Sequence, residues 1–259
     1  LLYPKDRPMI NGKTITIVVP CRNESAIIAG FIKRVPPYVD EILIVDNNST
    51  DHTATIAKKA GARVISEKRE IAGIGYGFAH QTGIEKATGD WVVAMDGDDT
   101  YPVKRIAAII RKMERDHIDF LSCNRMPLRN TEAISKTRQL GIRILNVLVR
   151  ICFGYPIQDI LSGMWVAKRS TLKGLRAKSG DWNFSPEVKL NALTSKTVVF
   201  GEYHIDHFAR AKEPSKQQIW KTGLGHMRFI LLKRLEDIWT TIRSIGVRLY
   251  PAPKESYAK

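Results

Sequence analysis

Apolar runs separated by polar turns organise the first 125 residues. "TITIVV" (14–19) is a β-branched run that meets Pro20, and such runs favour strands that proline closes. "EILIVD" (41–46), "ARVIS" (62–66), "WVVAM" (91–95) and "DFLSC" (119–123) read as four further strands. "WVVAM" has no polar interruption, as expected when both faces of a strand are covered. Between these runs, "SAIIAGFIKRV" (25–35), "TATIAKKAG" ending at Gly61, "FAHQTGIEKATG" ending at Gly89, and a segment from Pro102 to Asp116 read as helices. Repeated strand–helix alternation predicts an α/β fold with a mostly parallel central sheet and helices on both faces.

After about residue 126 the pattern loosens. Residues 135–154 form one long helical pattern carrying Arg138, Arg143 and Arg150. "GMWVAKRS" offers a strand, "SPEVKLNALTS" a helix and "KTVVFGEYHIDHF" a strand. Beyond Pro214 the chain becomes helical at three-to-four spacing, with Trp220, Phe229, Trp239 and Tyr250 set among Lys and Arg. The expected organisation is an α/β domain over 1–213 and a basic amphipathic helical extension over 214–259.

Charge changes the picture more than size does. The chain has 259 residues, ordinary hydrophobic content and a net charge of +15. That excess implies an anionic partner: nucleic acid, anionic lipid or a phosphorylated substrate. Residues 210–259 hold eleven Lys and Arg against four Asp and Glu. Cys21, Cys123 and Cys152 form no CxxC pair, so they read as small buried apolar residues in a reducing compartment rather than a disulfide or zinc framework. No signal peptide and no run of about 18 apolar residues is recognisable, so the chain is not expected to span a bilayer as a helix.

In an open parallel sheet, ligands bind beyond the carboxyl ends of the strands. "PCRNES", "DNNSTD", "EKRE" and "DGDDT" all fall there. Asp96 and Asp98 are two apart, so on a continuing strand both carboxylates face one ligand, and Gly97 between them lets it approach the backbone. A divalent cation makes such a pair tolerable. A solvated acidic turn, with Asp99 or Thr100 capping the next helix, is the plainer alternative. "AGIGYG" (72–77) is not a dinucleotide fingerprint, since Phe78 stands in place of the last glycine. Its glycines serve either a close backbone approach to a ligand or a flexible turn. His80, His117 and His226 read as helix-surface residues.

"VVPCRNES", "ILIVDNNSTDHTATIA", "GDWVVAMDGDDTYP", "DILSGMWVAKR" and "HFARAKEPSK" follow one another in the order seen in family 2 glycosyltransferases. The chain most resembles the dolichol-phosphate mannose synthase branch, the polyprenyl-phosphate glycosyltransferases, over about residues 14–216. The resemblance implies a GT-A fold, a UDP- or GDP-linked sugar donor, Mg²⁺ or Mn²⁺, and inverting transfer of a hexose to a polyprenyl phosphate. Carried over, Pro20, Arg22, Glu24, Asp46, Ser49 and Asp51 line the nucleotide pocket. Asp96 and Asp98, with Gly97 between them, hold metal and diphosphate. Arg125, Arg138 and Arg210 bind the acceptor phosphate, and Lys216 closes the last motif. The chain departs from the branch at Ala72, Thr100 and Ile142, where a lysine, a further metal ligand and an acceptor hydroxyl are usual.

A lipid monophosphate is already mostly ionised near neutrality, so it needs positioning more than deprotonation. A soluble or glycan hydroxyl acceptor, the alternative, requires a base. Asp159 is the expected base or steering group, with Glu187 second, and His204 or His207 would then complete the metal shell. The basic C-terminal helices are expected to lie on an anionic membrane surface at the cytoplasmic face; an ordinary packed helix pair or a homo-oligomer interface is the other use. Nucleic acid is disfavoured, because acidic strand ends repel phosphate unless a metal intervenes.

Overall fold

The computed structural model describes residues 10, 12–210 and 218–249. Seven strands form one sheet: β1 (Ile15–Cys21), β2 (Glu41–Asp46), β3 (Arg63–Ser66), β4 (Trp91–Ala94), β5 (Phe120–Asn124), β6 (Trp165–Lys168) and β7 (Phe200–His204). Their order is β3-β2-β1-β4-β6-β5-β7. All pairings are parallel except those of β6, which runs antiparallel to both β4 and β5. The expected mostly parallel sheet is therefore present, with one reversed strand inserted beside its centre.

Alternate residues of the central strands feed opposite faces. Ile17, Val19 and Val93 pack with Ile28, Phe31 and Ile32 of α1 (Ile28–Arg34), Ala57 of α2 (Thr53–Lys59) and Ile106, Ile109, Ile110 and Met113 of α4 (Ile106–Arg115). Val18, Val92 and Ala94 turn the other way, onto Ala79 of α3 (Tyr76–Lys86), Leu172 and Leu175 of α6 (Arg169–Leu175), and Phe184, Val188 and Ala192 of α7 (Phe184–Thr194). A third cluster joins Leu145 and Val149 of α5 (Lys136–Phe153) to Leu190 and Leu193 of α7 and Ile230 of α8 (Ile219–Leu249). α8 runs alongside α5, with the Arg234 guanidinium 5.8 Å above the Phe153 ring.

Four local expectations need correction. Pro20 does not end β1: the strand continues to Cys21 along β2, while pairing to β4 has already stopped at Val18. α4 is not entered from an acidic cap. Asp99 sits at φ +67° and pairs with Arg34 (2.7 Å), and a 3₁₀ turn, Val103–Arg105, precedes the helix. α6 follows β6 directly, where only a strand was expected. His80 and His226 are buried rather than on a helix surface.

Candidate active site

A cavity of about 720 Å³ opens beyond the carboxyl ends of β1 and β4, roofed by α5 and α8. Pro20, Arg22, Glu24, Asp96, Gly97, Asp98, Arg125, Arg138 and Arg210 all line it. These residues come from five stretches of sequence and meet at one place because the parallel half of the sheet ends there.

Asp96 and Asp98 follow β4 and sit on the cavity wall. Burial, reinforced by the neighbouring Asp98 charge, pushes the Asp96 carboxyl up to about 7. Its Oδ1 accepts a hydrogen bond from the Tyr76 hydroxyl (3.2 Å). Asp98 is fixed from both sides. Oδ1 accepts from the Thr100 hydroxyl (2.7 Å) and backbone N–H (3.2 Å), and Oδ2 is paired with Arg210. Thr100 thus orients a carboxylate while itself lining the cavity. Gly97 serves the core as well as the wall. A Cβ there would come within 3.0 Å of Cys21 Sγ and Val19 Cγ1, so glycine is needed beneath the pair.

Asp159 is placed differently from its expected role as base. It is fully buried, and Arg125 takes both of its oxygens, Nε on Oδ2 at 2.6 Å and Nη2 on Oδ1 at 3.0 Å. Burial alone would raise its pKa, but the Arg125 charge and hydrogen bonds hold the carboxyl below the usual range. Such an ionised group, held through both oxygens, positions an arginine, and it is not among the residues that line the cavity. Glu187 is also engaged, accepting from the Lys178 and Ser179 N–H groups (3.0 and 2.7 Å).

Three other expected nucleotide contacts do not line the cavity. Asp46 ends β2, buried, with Oδ1 lacking a hydrogen-bond partner. Ser49 accepts from the Asn23 N–H (3.0 Å), and Asp51 accepts from Thr53 and from the Ser25 N–H (3.2 Å). Burial opposes ionisation of Asp51, but these donors hold its pKa down to about 2. Ser49 and Asp51 therefore shape the loop that carries Arg22 and Glu24. Lys216 lies outside the described residues.

Sequence reasoning missed the residues behind the wall. Lys189 is fully buried, and its ammonium donates to the carbonyls of Asp159, Ile160 and Ser162 (3.2, 3.0 and 2.6 Å). Burial brings its pKa down to about 8. The turn it grips continues into Gly163, whose N–H donates to the Tyr101 hydroxyl (2.7 Å) and whose missing side chain leaves room for Asp96. A Cβ at Gly163 would lie 2.7 Å from Asp96 Oδ2. Tyr76 and Trp182, with ring centroids 4.8 Å apart, form an aromatic part of the wall. Gly75 and Gly77 in the glycine-rich stretch permit close packing: a Cβ would meet Asn47 and the Arg69 carbonyl at one, and the Ser179 carbonyl at the other, all within 2.4 Å.

Asp96 and Asp98 fit a divalent cation. Asp96 is buried beside a second carboxylate and its one hydrogen bond among the described residues is from the Tyr76 hydroxyl, so burial and the Asp98 charge disfavour its ionised form, which a cation on the cavity side would restore. His207 lines the same cavity, has its Nδ1 buried without a hydrogen-bond partner, and is kept neutral by burial, with a pKa of about 4. His204 instead contacts the Pro127 carbonyl through Nε2 (2.9 Å). Among the described residues no group of three or more His, Cys, Asp or Glu could hold a metal alone, so phosphate oxygens and water would supply the other ligands.

Comparison with known proteins agrees with this fold. The profile of the family described as "Glycosyl transferase family 2" matches residues 16–176. An uncharacterized glycosyltransferase of Mycobacterium tuberculosis is 30% identical over 164 residues, 63% of this chain and 72% of that protein. Dodecaprenyl-phosphate galacturonate synthase of Rhizobium johnstonii is 26% identical over 225 residues, 82% of this chain and 64% of that protein. Glucosyl-3-phosphoglycerate synthase of M. tuberculosis is 36% identical over 183 residues, 63% of this chain and 56% of that protein. A crystal structure of a protein of that name, in complex with Mn²⁺, UDP and phosphoglyceric acid, superposes with a TM-score of 0.67 at 24% identity, covering 86% of this chain and 79% of the other.

Proposed function

This chain belongs to glycosyl transferase family 2, and from that premise we propose that it moves a hexose from a UDP-sugar to a polyprenyl phosphate, with inversion. The relative solved with UDP and Mn²⁺ supports the donor and the cation, and the dodecaprenyl-phosphate galacturonate synthase supports the acceptor class. One observation carries the acceptor reading. Arg125, Arg138 and Arg210 line the same cavity as the Asp96–Asp98 pair, and the cavity continues from them along Ile134, Ile142, Leu145, Leu161 and Ile219. Cations followed by an apolar wall match a phosphate joined to a hydrocarbon.

A cation on Asp96 and Asp98, Mg²⁺ or Mn²⁺, would offset the charge of the departing nucleoside diphosphate. Thr100 and Tyr76 orient those two carboxylates. Arg125, kept charged and aimed by Asp159, lies beside Arg138 and Arg210 to orient the acceptor phosphate and offset its charge. The phosphate oxygen attacks already ionised, so no general base is required, in keeping with the full engagement of Asp159. A lipid acceptor also places the enzyme on a membrane surface. Among the described residues no helix is long and apolar enough to cross a membrane, so attachment through the basic α5–α8 side is the expected mode.

A second reading, transfer to a small phosphorylated acid, is favoured by the identity to glucosyl-3-phosphoglycerate synthase. A UDP-release assay separates the two. The lipid reading expects release that needs both Mn²⁺ or Mg²⁺ and a polyprenyl phosphate. Release driven equally by phosphoglycerate overturns it.

A further inference from the structure

His226 is a buried titratable group that the transfer mechanism does not use. It is 4% exposed and lines the cavity together with Ile219, Thr222 and Gly223, which share its face of α8. Its Nδ1 lies 2.8 Å from Asn183 Oδ1, immediately before α7. The next contact assigns the hydrogen between them. Asp181 accepts from Asn183 twice, from the side-chain Nδ2 (3.1 Å) and from the backbone N–H (2.9 Å). A carboxylate accepts, so the amide turns Nδ2 to Asp181 and Oδ1 to the imidazole; Oδ1 also only accepts, so Nδ1 carries the hydrogen. In the neutral ring Nε2 is then a bare lone pair. Burial keeps the ring neutral, with a pKa of about 4, although Asp181 pulls the other way. Nε2 makes no hydrogen bond among the described residues, yet it is not sealed in as both nitrogens of His80 are. The space beside it is the cavity.

That lone pair requires a hydrogen-bond donor. Ionised phosphates offer only acceptor oxygens, and the apolar lining offers nothing. The nucleoside's donors belong with Arg22 and Glu24, after β1. His226 stands across β4 from them: α7 starts beside the turn that leads into β6, where the Ser185 hydroxyl donates to the Ser162 carbonyl (2.9 Å), and the sheet order is β1-β4-β6. The hexose remains. Between Asp96 and His226 the wall is aromatic. Tyr76 donates to Asp96, its ring centroid is 4.8 Å from that of Trp182, and Trp182 directly precedes Asn183. A carbon ring edged with hydroxyls fits an apolar face bounded by one placed acceptor. Proton abstraction is the other use of a neutral imidazole, but a nitrogen that gives up its proton so readily is a feeble base near neutrality.

Resting on the UDP-hexose reading above, we propose that His226, held by Asn183 and Asp181, accepts a hydrogen bond through Nε2 from one hydroxyl of the transferred hexose and thereby selects the donor sugar. A donor that lacks this hydroxyl leaves the lone pair buried and unpaired, and a site built to pair with a hydroxyl rejects the analogue without it for that reason.

His226→Asn separates the two nitrogens. Its amide N–H takes the place of Nδ1 and donates to Asn183, while nothing takes the place of Nε2. UDP release is measured with Mn²⁺ and with undecaprenyl phosphate or phosphoglycerate, whichever supports it. The donors are UDP-glucose, UDP-galactose, UDP-N-acetylglucosamine and UDP-galacturonate, then the monodeoxy analogues of the best of them. In the variant, kcat/KM for the parent donor should fall about tenfold, the worth of one buried hydrogen bond. UDP affinity by calorimetry should stay within about twofold, a small fraction of that step. One monodeoxy analogue should be about tenfold poorer than its parent with wild type and no poorer with the variant, because its partner is already gone. If the variant uses the parent donor as well as wild type does, or every analogue suffers the same drop in both proteins, His226 reads no sugar hydroxyl and the proposal is refuted while the donor reading stands. Loss of UDP affinity equal to the loss of turnover also refutes it, since the histidine would then serve only the packing of the roof. If wild type releases UDP from none of these donors, the donor reading falls and the role of His226 with it.

Discussion

Replacing Asp159 by Asn decides between a catalytic base and a residue that holds Arg125. The carboxylate is fully buried and accepts from Arg125 Nε (2.6 Å), Nη2 (3.0 Å) and N–H (3.1 Å). Asn keeps the shape but turns one oxygen into an amide donor facing a guanidinium. Breaking one side of a buried pair typically costs about 3–5 kcal/mol. For a chain of this size that is a fall in melting temperature of roughly 6–20 °C. Turnover below the melt should show a raised KM for the acceptor, because Arg125 is no longer aimed, with UDP affinity unchanged. The pair's contribution also has a fixed pH sign. The folded carboxyl lies below its unfolded value, so the stabilisation is present above the unfolded pKa and is lost as pH falls through the folded one. Differential scanning calorimetry and steady-state kinetics read both quantities. The double variant Arg125→Met/Asp159→Leu should recover most of the stability and none of the activity, since apolar pairs replace buried ion pairs at little cost. A D159N protein that melts within about 1 °C of wild type while losing turnover would falsify the positioning role and restore the base.

Four further outcomes follow from the cavity wall and the residues behind it. The Asp96 carboxyl, raised to about 7 by burial and by Asp98, holds a proton that a cation must displace, so apparent Mn²⁺ affinity should rise by up to about tenfold per pH unit below 7 and level off above; a flat titration from pH 5 to 7 contradicts this. The same shift means that metal-free protein loses stability from this group as pH rises from the unfolded value toward 7, the opposite sign to Asp159. Gly163→Ala should weaken Mn²⁺ binding about tenfold, because its Cβ would sit 2.7 Å from Asp96 Oδ2, at an overpacking cost of about 1–3 kcal/mol; unchanged Mn²⁺ affinity by calorimetry means that Asp96 is free to move. Lys189→Met removes a donor from three buried carbonyls, of which that of Ser162 keeps the Ser185 hydroxyl (2.9 Å) and that of Asp159 keeps the Ser162 N–H (3.4 Å), and should cost about 1–3 kcal/mol, read as a melting point lowered by several degrees; an unaltered melt would show that water replaces the ammonium.

The parallel half of the fold was legible because burial on both faces demands what the sequence displays: uninterrupted β-branched runs such as "ITIVV" and "WVVA" set at regular intervals. β6 was legible as a strand but not in its place. Four residues, Trp165–Lys168, carry no local signal that they will run antiparallel between β4 and β5; that choice belongs to packing between distant segments. α6 was missed for a related reason. It begins one residue after β6 ends, with no polar turn to separate the two patterns.

The site shows the same division. The acidic pair and the arginines could be found because motif order and strand ends point to one edge of a sheet, and the structure brings Asp96, Asp98, Arg125, Arg138 and Arg210 to one cavity. The supporting residues could not, since their reasons lie in contacts between distant positions. Asp159 looks like a base until Arg125, 34 residues earlier in the chain, is seen to occupy both its oxygens. Lys189 looks like a surface charge on a helix until three carbonyls from the 159–162 turn are found around it. These residues form one connected support. Lys189 holds the turn, Asp159 on that turn holds Arg125, and Gly163 at its end leaves the space that Asp96 fills. A single turn therefore sets both the carboxylate proposed to hold the cation and the arginine proposed to hold the acceptor phosphate. Damage to its buried lysine should accordingly impair donor and acceptor binding together, as should loss of Arg210, which is paired with Asp98, whereas loss of Arg138 should affect the acceptor more than the donor.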